Sequence, residues 1–240
     1  MQPPTCYNLS MSFFTSLIIV ILATLIQGLM QLPAGVFSIF YHRALGKKSQ
    51  KNLPANTLFF VLGTLVFNFT IITILCIFIF SAYHYTKPNY NLLSWIMTGI
   101  LFAESVLSLF FYYRGKGTTE LFISRTTAKS LKNEAEKVKT RFDAFVLGFM
   151  AGIPEQFFTL PLYITVIVNL INISVAWRTA VMACFLIANI LPLFSVCFSF
   201  RTGHNLAEIT KFRLRIKPFI RVFLCASYLL LAIFTLLGAF

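Results

Sequence analysis

The chain has 240 residues, of which 58% are hydrophobic and 11% charged, with 28 Phe and a formal net charge of +13. A soluble domain carries charge on roughly a quarter of its residues, so this composition excludes one. The 20 Lys and Arg residues do not point to nucleic acid either, because they cluster between long apolar runs and so mark membrane topology.

Six apolar runs are long enough to span a bilayer: Ser12–Tyr41, Thr57–Tyr83, Asn91–Tyr113, Ala144–Leu170, Thr179–Phe200 and Phe219–Phe240. They predict an all-α membrane protein of six transmembrane helices. The first run has an uncharged tail, Met1–Met11, and its basic residues come after it, which is the wrong order for a secretory signal. It is expected to stay as a helix with its N-terminus outside.

The loop after the first run carries Arg43, Lys47, Lys48 and Lys51. The third loop carries eight basic residues from Arg114 to Arg141, and the fifth is similarly basic from Arg201 to Arg221. Loops two and four hold only Lys87 and Arg178. By the positive-inside rule loops one, three and five are cytoplasmic, and both the N-terminus and the C-terminus lie outside. Arg178, beside Trp177, is expected to snorkel to the outer interface or to guard an outer gate. Within the third loop, LFISRTTAKSLKNEAEKVK has the spacing of a short helix with Leu131, Ala135 and Val138 on one side, although such a segment is more often a solvated connector.

That central loop, 114–141, separates a first three-helix half, 1–113, from a second, 142–240, within one integral membrane domain. The halves share features. The first helix of one reads GLMQLPAGVF from Gly28 to Phe37, and that of the other reads GFMAGIPEQFF from Gly148 to Phe158. Each second helix has a central asparagine, Asn68 or Asn189. An odd number of spans per half makes the second copy run through the membrane in the opposite sense, which is an inverted repeat. Pro33 with Gly35, Gly152 with Pro154, Pro161 and Pro192 are expected to break helices, each proline freeing the carbonyl four residues earlier, on Leu29, Met150, Phe157 and Ala188.

Two of only seven acidic residues, Glu104 and Glu155, lie in mid-run. A carboxylate at the bilayer centre costs about 2.5 to 3.5 kcal/mol on insertion scales, so it persists where a cation, proton or polar cavity compensates it. Gln27, Gln31, Asn68, Ser108, Gln156, Asn189 and Ser227 occur at similar depth and are expected to converge with the glutamates in one bundle. Of these, Glu155, Glu104, Gln156, Asn68, Asn189 and Gln31 are the candidate substrate or ion ligands. No Lys, Arg or His lies at that depth, which favours a cation or proton site over an anion site. In low dielectric a carboxyl without a counter-ion keeps its proton, and an arriving cation favours the ionised form. Taken singly, an Asn or Gln in a span is more often an interhelical hydrogen bond, worth about 0.6 to 2 kcal/mol.

The five cysteines form no CxxC pair, the three histidines no metal motif, and no nucleotide loop or catalytic triad occurs. No cofactor and no enzymatic activity are expected.

The layout resembles the lysine exporter (LysE) superfamily of six-helix carriers. The resemblance rests on QLPAGVFSIF followed by the basic turn YHRALGKKSQKN, on FFVLGTLVFN opening the second helix, on the basic central loop and on LGFMAGIPEQFF in the fourth helix. The family's Pro-Gly-Pro is replaced by Leu32-Pro33-Ala34-Gly35, and its Asn-Pro-Lys by Ile153-Pro154-Glu155. It implies the fold and the transport class, with Pro33, Pro154 and Glu155 as matched positions. The DsbD/CcdA electron carriers of the same superfamily place reactive cysteines where Ala34 and Glu155 stand here, so a thiol relay is disfavoured.

The function expected is a secondary exporter of a small cationic or zwitterionic solute, a metal ion or an amino-acid-like compound, coupled to protons. The alternative is a non-transporting assembly or lipid-handling component. The setting expected is a bacterial plasma (inner) membrane, with the lipid bilayer, the solute and protons as partners, no nucleic acid, and a surface compatible with a homodimer.

Overall fold

The computed structural model describes residues 6–30, 53–86, 90–110, 125–171, 173–201 and 206–237. Every element among them is a helix: α1 (Cys6–Met30), α2 (Leu53–Thr86), α3 (Tyr90–Phe110), α4 (Arg125–Lys137), α5 (Arg141–Gly152), α6 (Gln156–Asn169), α7 (Val175–Arg201) and α8 (Leu206–Leu237). Within them, Ala55–Tyr85, Leu92–Phe110 and Val175–Ser195 are long and apolar enough to cross a membrane. Three shorter apolar stretches are Phe14–Gly28, Thr159–Asn169 and Val222–Leu237. The outer faces are hydrophobic, with Phe14, Ile77, Phe78, Ile187 and Phe198 all strongly exposed. Such a surface is compatible with a membrane protein, since large exposed apolar areas are rare on soluble monomers.

The central connector is helical over Arg125–Lys137 rather than a plain solvated connector. Leu131 and Ala135 are buried, and α4 packs on α5. The chain re-enters a helix at Thr140, whose extended backbone and side chain form a capping box with Asp143. Thr140 Oγ1 accepts from Asp143 N at 3.1 Å, and Asp143 Oδ2 accepts from Thr140 N at 2.9 Å and Lys139 N at 3.0 Å. Both ends of that first turn are thereby satisfied.

The helices are interlocked across the central loop. Apart from α4 with α5, every extensive helix pair among the described residues joins a helix before the loop to one after it. The largest are α2 with α5 and α3 with α8, followed by α1 with α8, α7 and α6. The core reflects this: Ile19, Ala23 and Ile26 of α1 meet Leu162, Tyr163 and Val166 of α6, and Leu224, Tyr228 and Leu231 of α8.

The α2–α5 crossing is held close by glycine. A Cβ on Gly63 would strike the carbonyl oxygen of Phe145, and one on Gly148 would strike the carbonyl oxygen of Phe60. Backbone meets backbone at both points, so only a missing side chain allows the approach. One turn further along α5, Gly152 leaves the space that the Phe67 ring fills, and Phe67 meets Phe149 edge-on with centroids 5.0 Å apart. Thr64 Oγ1 ties the crossing by donating to Gly148 O at 3.1 Å.

Candidate functional site

The helix that would continue α5 into α6 breaks at Ile153, Pro154 and Glu155. Pro154 has no N–H to give, and the chain tightens into a turn of the three-residue type. Ile153 N donates to Met150 O at 3.3 Å, Glu155 N to Gly152 O at 3.2 Å and Gln156 N to Ile153 O at 3.2 Å. Ordinary helix resumes when Thr159 N donates to Glu155 O. The expectation that Pro154 frees the Met150 carbonyl is therefore corrected, because the tightened turn reuses that oxygen. What the break presents is a side chain.

That side chain is Glu155, which is buried. It lines a small cavity with Gln27 of α1, Thr64 and Asn68 of α2 and Asn189 of α7, closed by Ile190 and Leu193. Its volume is about 10 Å³ measured by water centres, room for about one water molecule. Gln27 Nε2 donates to the Tyr163 hydroxyl, which fixes that amide with its oxygen turned to other partners. Tyr163 is fully buried and also lies beside Glu155, Gln156 and Thr159. Gln27 Oε1 and Asn68 Oδ1 have no hydrogen-bond partner among the described residues, although their side chains are only 2% and 4% exposed.

Glu104 lies elsewhere. It is buried on α3 where that helix packs along α8, and its carboxylate accepts from the Tyr228 hydroxyl. Its Oε2 has no hydrogen-bond partner among the described residues, nor does the buried Ser108 Oγ one turn on. The seam is fastened beside it by Ser105, whose Oγ donates to Cys225 O at 2.8 Å and lies 3.3 Å from Cys225 Sγ. The mid-run polar residues thus do not converge in one bundle. The physical reason is that α3 is paired with α8, whereas the cavity is enclosed by α1, α2, α7 and the α5–α6 break.

Other expected positions fall as follows. Asn68 and Asn189 are in the cavity. Gln156 is half-buried at the start of α6, with Nε2 donating to Gly152 O at 3.4 Å, and does not line it. Gln31, Pro33 and Gly35 lie outside the described residues. Pro161 and Pro192 are not breaks: each sits inside a continuous helix, α6 or α7. Pro192 instead packs toward Gly28, where a Cβ would be 3.3 Å from its Cγ, and this brings α7 to α1 next to Gln27.

Arg178 is half-buried and closes the C-terminus of α6, with Nε donating to Leu170 O at 3.1 Å and Nη2 to Ile171 O at 2.6 Å and Ile173 O at 3.0 Å. Its guanidinium also sits over the Phe80 ring, 4.5 Å from the centroid. A cation at a helix C-terminus meets the orphan carbonyls there, which explains these contacts.

Thr64 and Tyr163 are site residues that single-residue reading passed over. Their signal was spacing: Thr64 is one turn before Asn68, and Glu155, Thr159 and Tyr163 repeat every fourth residue along an apolar helix. Comparison with known proteins returns no matching family model, no matching curated protein and no matching solved structure.

Proposed function

We propose that the chain is a secondary membrane carrier that exports a small cation in exchange for protons. One observation carries the reading: a buried carboxylate, Glu155, stands at a helix break and faces a polar cavity shared by α1, α2 and α7. Interrupted helices that bring polar groups to a mid-membrane cavity are how secondary carriers build their sites. A cation entering this cavity meets an ionisable ligand and amide oxygens, and its arrival favours loss of a proton from Glu155. The room is for one water or an ion of similar size, which favours a metal-like cation over an amino acid. Glu104, on its own seam with Tyr228, is the second proton-holding group of the cycle.

The architecture that goes with this reading is six transmembrane helices in two inverted halves, with both termini outside, in the manner of LysE-like carriers. Reciprocal packing supports it: α1 meets α7 while α2 meets α5, and α3 meets α8, the swap that a two-fold axis between halves requires. Ser16 Oγ donates to Asn169 O, and Gln27 to Tyr163, so α1 and α6 run in opposite senses, as inverted copies do.

The test is transport in proteoliposomes under an imposed pH gradient, with Glu155→Gln and Glu104→Gln. Loss of cation flux in Glu155→Gln and loss of its pH dependence in Glu104→Gln are expected. Full activity of both variants would overturn the proposal. A second reading, a non-transporting membrane component, draws on the Thr64–Gly148 and Ser105–Cys225 bonds, in which buried polar groups fasten helices. It requires that no proton be released when any solute binds.

A further inference from the structure

We infer that the Glu155 cavity is a site for one monovalent cation of sodium size. The inference rests on the carrier reading only for its place in a transport cycle, since the site is argued from its own atoms.

Each polar side chain that lines the cavity carries an oxygen. Glu155 contributes a carboxylate, Gln27, Asn68 and Asn189 contribute amides, and Thr64 a hydroxyl. Thr64 spends its proton on carbonyls, at 3.1 Å to Gly148 O and 3.3 Å to Phe60 O, so its oxygen is free to face an ion. No sulfur or imidazole lines the cavity, and among the described residues no group of three or more His, Cys, Asp and Glu comes together. Zinc, copper and nickel prefer such softer ligands, whereas hard cations take carboxylate, carbonyl and hydroxyl oxygen.

Two of these oxygens lack partners. Gln27 Oε1 and Asn68 Oδ1 accept no hydrogen bond from any described residue, yet both side chains are more than nine-tenths buried. A buried acceptor left unmade costs about 1 to 3 kcal/mol, so two in one chamber call for a guest that is positively charged or donates hydrogen bonds. Gln27 Nε2 is engaged with the Tyr163 hydroxyl. Its carbonyl end is thus the end available to the cavity.

Charge and size then choose the ion. One carboxylate lines the cavity, so a monovalent cation makes the filled site neutral, and a divalent one leaves an uncompensated positive charge in low dielectric. Magnesium keeps several of its waters and demands octahedral geometry, and the chamber has room for about one water. The five polar side chains lining the chamber surround a space the size of one water, which suits a bare ion of sodium or lithium size. Ammonium-bearing organic solutes are too large for it.

The experiment is thermal unfolding of the purified full chain in detergent, titrated with sodium, lithium, potassium, magnesium or manganese chloride at ionic strength matched with choline chloride. A ligand bound to the folded state raises its stability by mass action. Saturating stabilisation by sodium and lithium, absent with choline and at least tenfold weaker with potassium, is the expected result. Glu155→Gln is expected to weaken the sodium response at least tenfold. Asn68→Asp, which adds a second carboxylate, is expected to turn the preference toward divalent ions, and it tests the charge argument even where Glu155→Gln fails to fold. A wild-type response to manganese or magnesium alone, or no response to sodium, would overturn the site. Sodium binding without flux in proteoliposomes would instead sink the carrier reading and leave the site standing, while flux of another solute without sodium binding would do the reverse.

Discussion

Glu155 and Glu104 both stand in apolar runs of the sequence, and their surroundings in space are very different. Glu155 is delivered by a helix break into a chamber that α1, α2 and α7 share, beside a crossing so close that Gly63 and Gly148 are required. Glu104 lies in mid-helix on a seam between two unbroken helices, with a tyrosine hydroxyl as its partner. On the proposed reading, the carboxyl with room beside it is the one that exchanges a proton for an ion, and the one packed in the seam is the one that holds a proton. The difference is one of packing: a chamber beside Glu155 and a closed helix seam around Glu104.

The contrast can be broken first at the crossing. Gly148→Val places a branched side chain against the Phe60 backbone, with no rotamer that avoids it, and is expected to cost about 3 kcal/mol or more. Thermal or denaturant unfolding in detergent would show it, and wild-type stability would refute the close approach. Arg178→Ala comes next. It removes a guanidinium from three carbonyls at the end of α6, for an expected loss of about 2 kcal/mol, with Arg178→Lys recovering only part. On the other seam Ser105→Ala deletes one hydrogen bond to Cys225 O and is expected to cost about 1 kcal/mol by the same measurement.

The smallest effect concerns Asp143, outside the apolar stretches. Hydrogen bonds from the Thr140 and Lys139 backbones hold its carboxyl below the ordinary 3.8. Its folded value is thus depressed, so the stability it contributes is full above 3.8 and is lost as pH falls through the lowered folded value. Asp143→Asn should flatten that slight acid-side slope in an unfolding series from pH 5 to about 3.

Much of the chain's helical layout was legible because apolar runs and basic loops are one-dimensional signals. The break at Pro154 was legible for a similar reason: Gly152 and Pro154 together deny the helix both a side chain and an N–H. Pro161 and Pro192 carry the same residue type without the same outcome. A proline alone is tolerated inside a packed apolar helix, and Pro192 is used as a surface for Gly28. The cavity's members were partly legible, since Glu155, Asn68 and Asn189 stand out as polar residues in apolar runs. Thr64 and Tyr163 did not, because a hydroxyl satisfied by a helix carbonyl or an aromatic in a core is the commoner case, and only their four-residue spacing set them apart. The separation of Glu104 from Glu155 was not legible at all. It follows from the pairing of α3 with α8, a tertiary choice that periodicity does not encode. The carbonyl contacts of Arg178 were hidden likewise, as backbone partners have no residue signature.

The central claim is that Glu155 exchanges a proton for a cation, and proton release is its most direct readout. Protein in weakly buffered detergent solution with a pH-indicator dye, mixed with sodium chloride near neutral pH, is expected to release up to one proton per chain. The release should saturate with the stabilisation seen on heating, persist in Glu104→Gln and vanish in Glu155→Gln. Sodium-dependent release that is undiminished in Glu155→Gln, or stabilisation by sodium with no proton released across the pH range in which the protein stays folded, would contradict it.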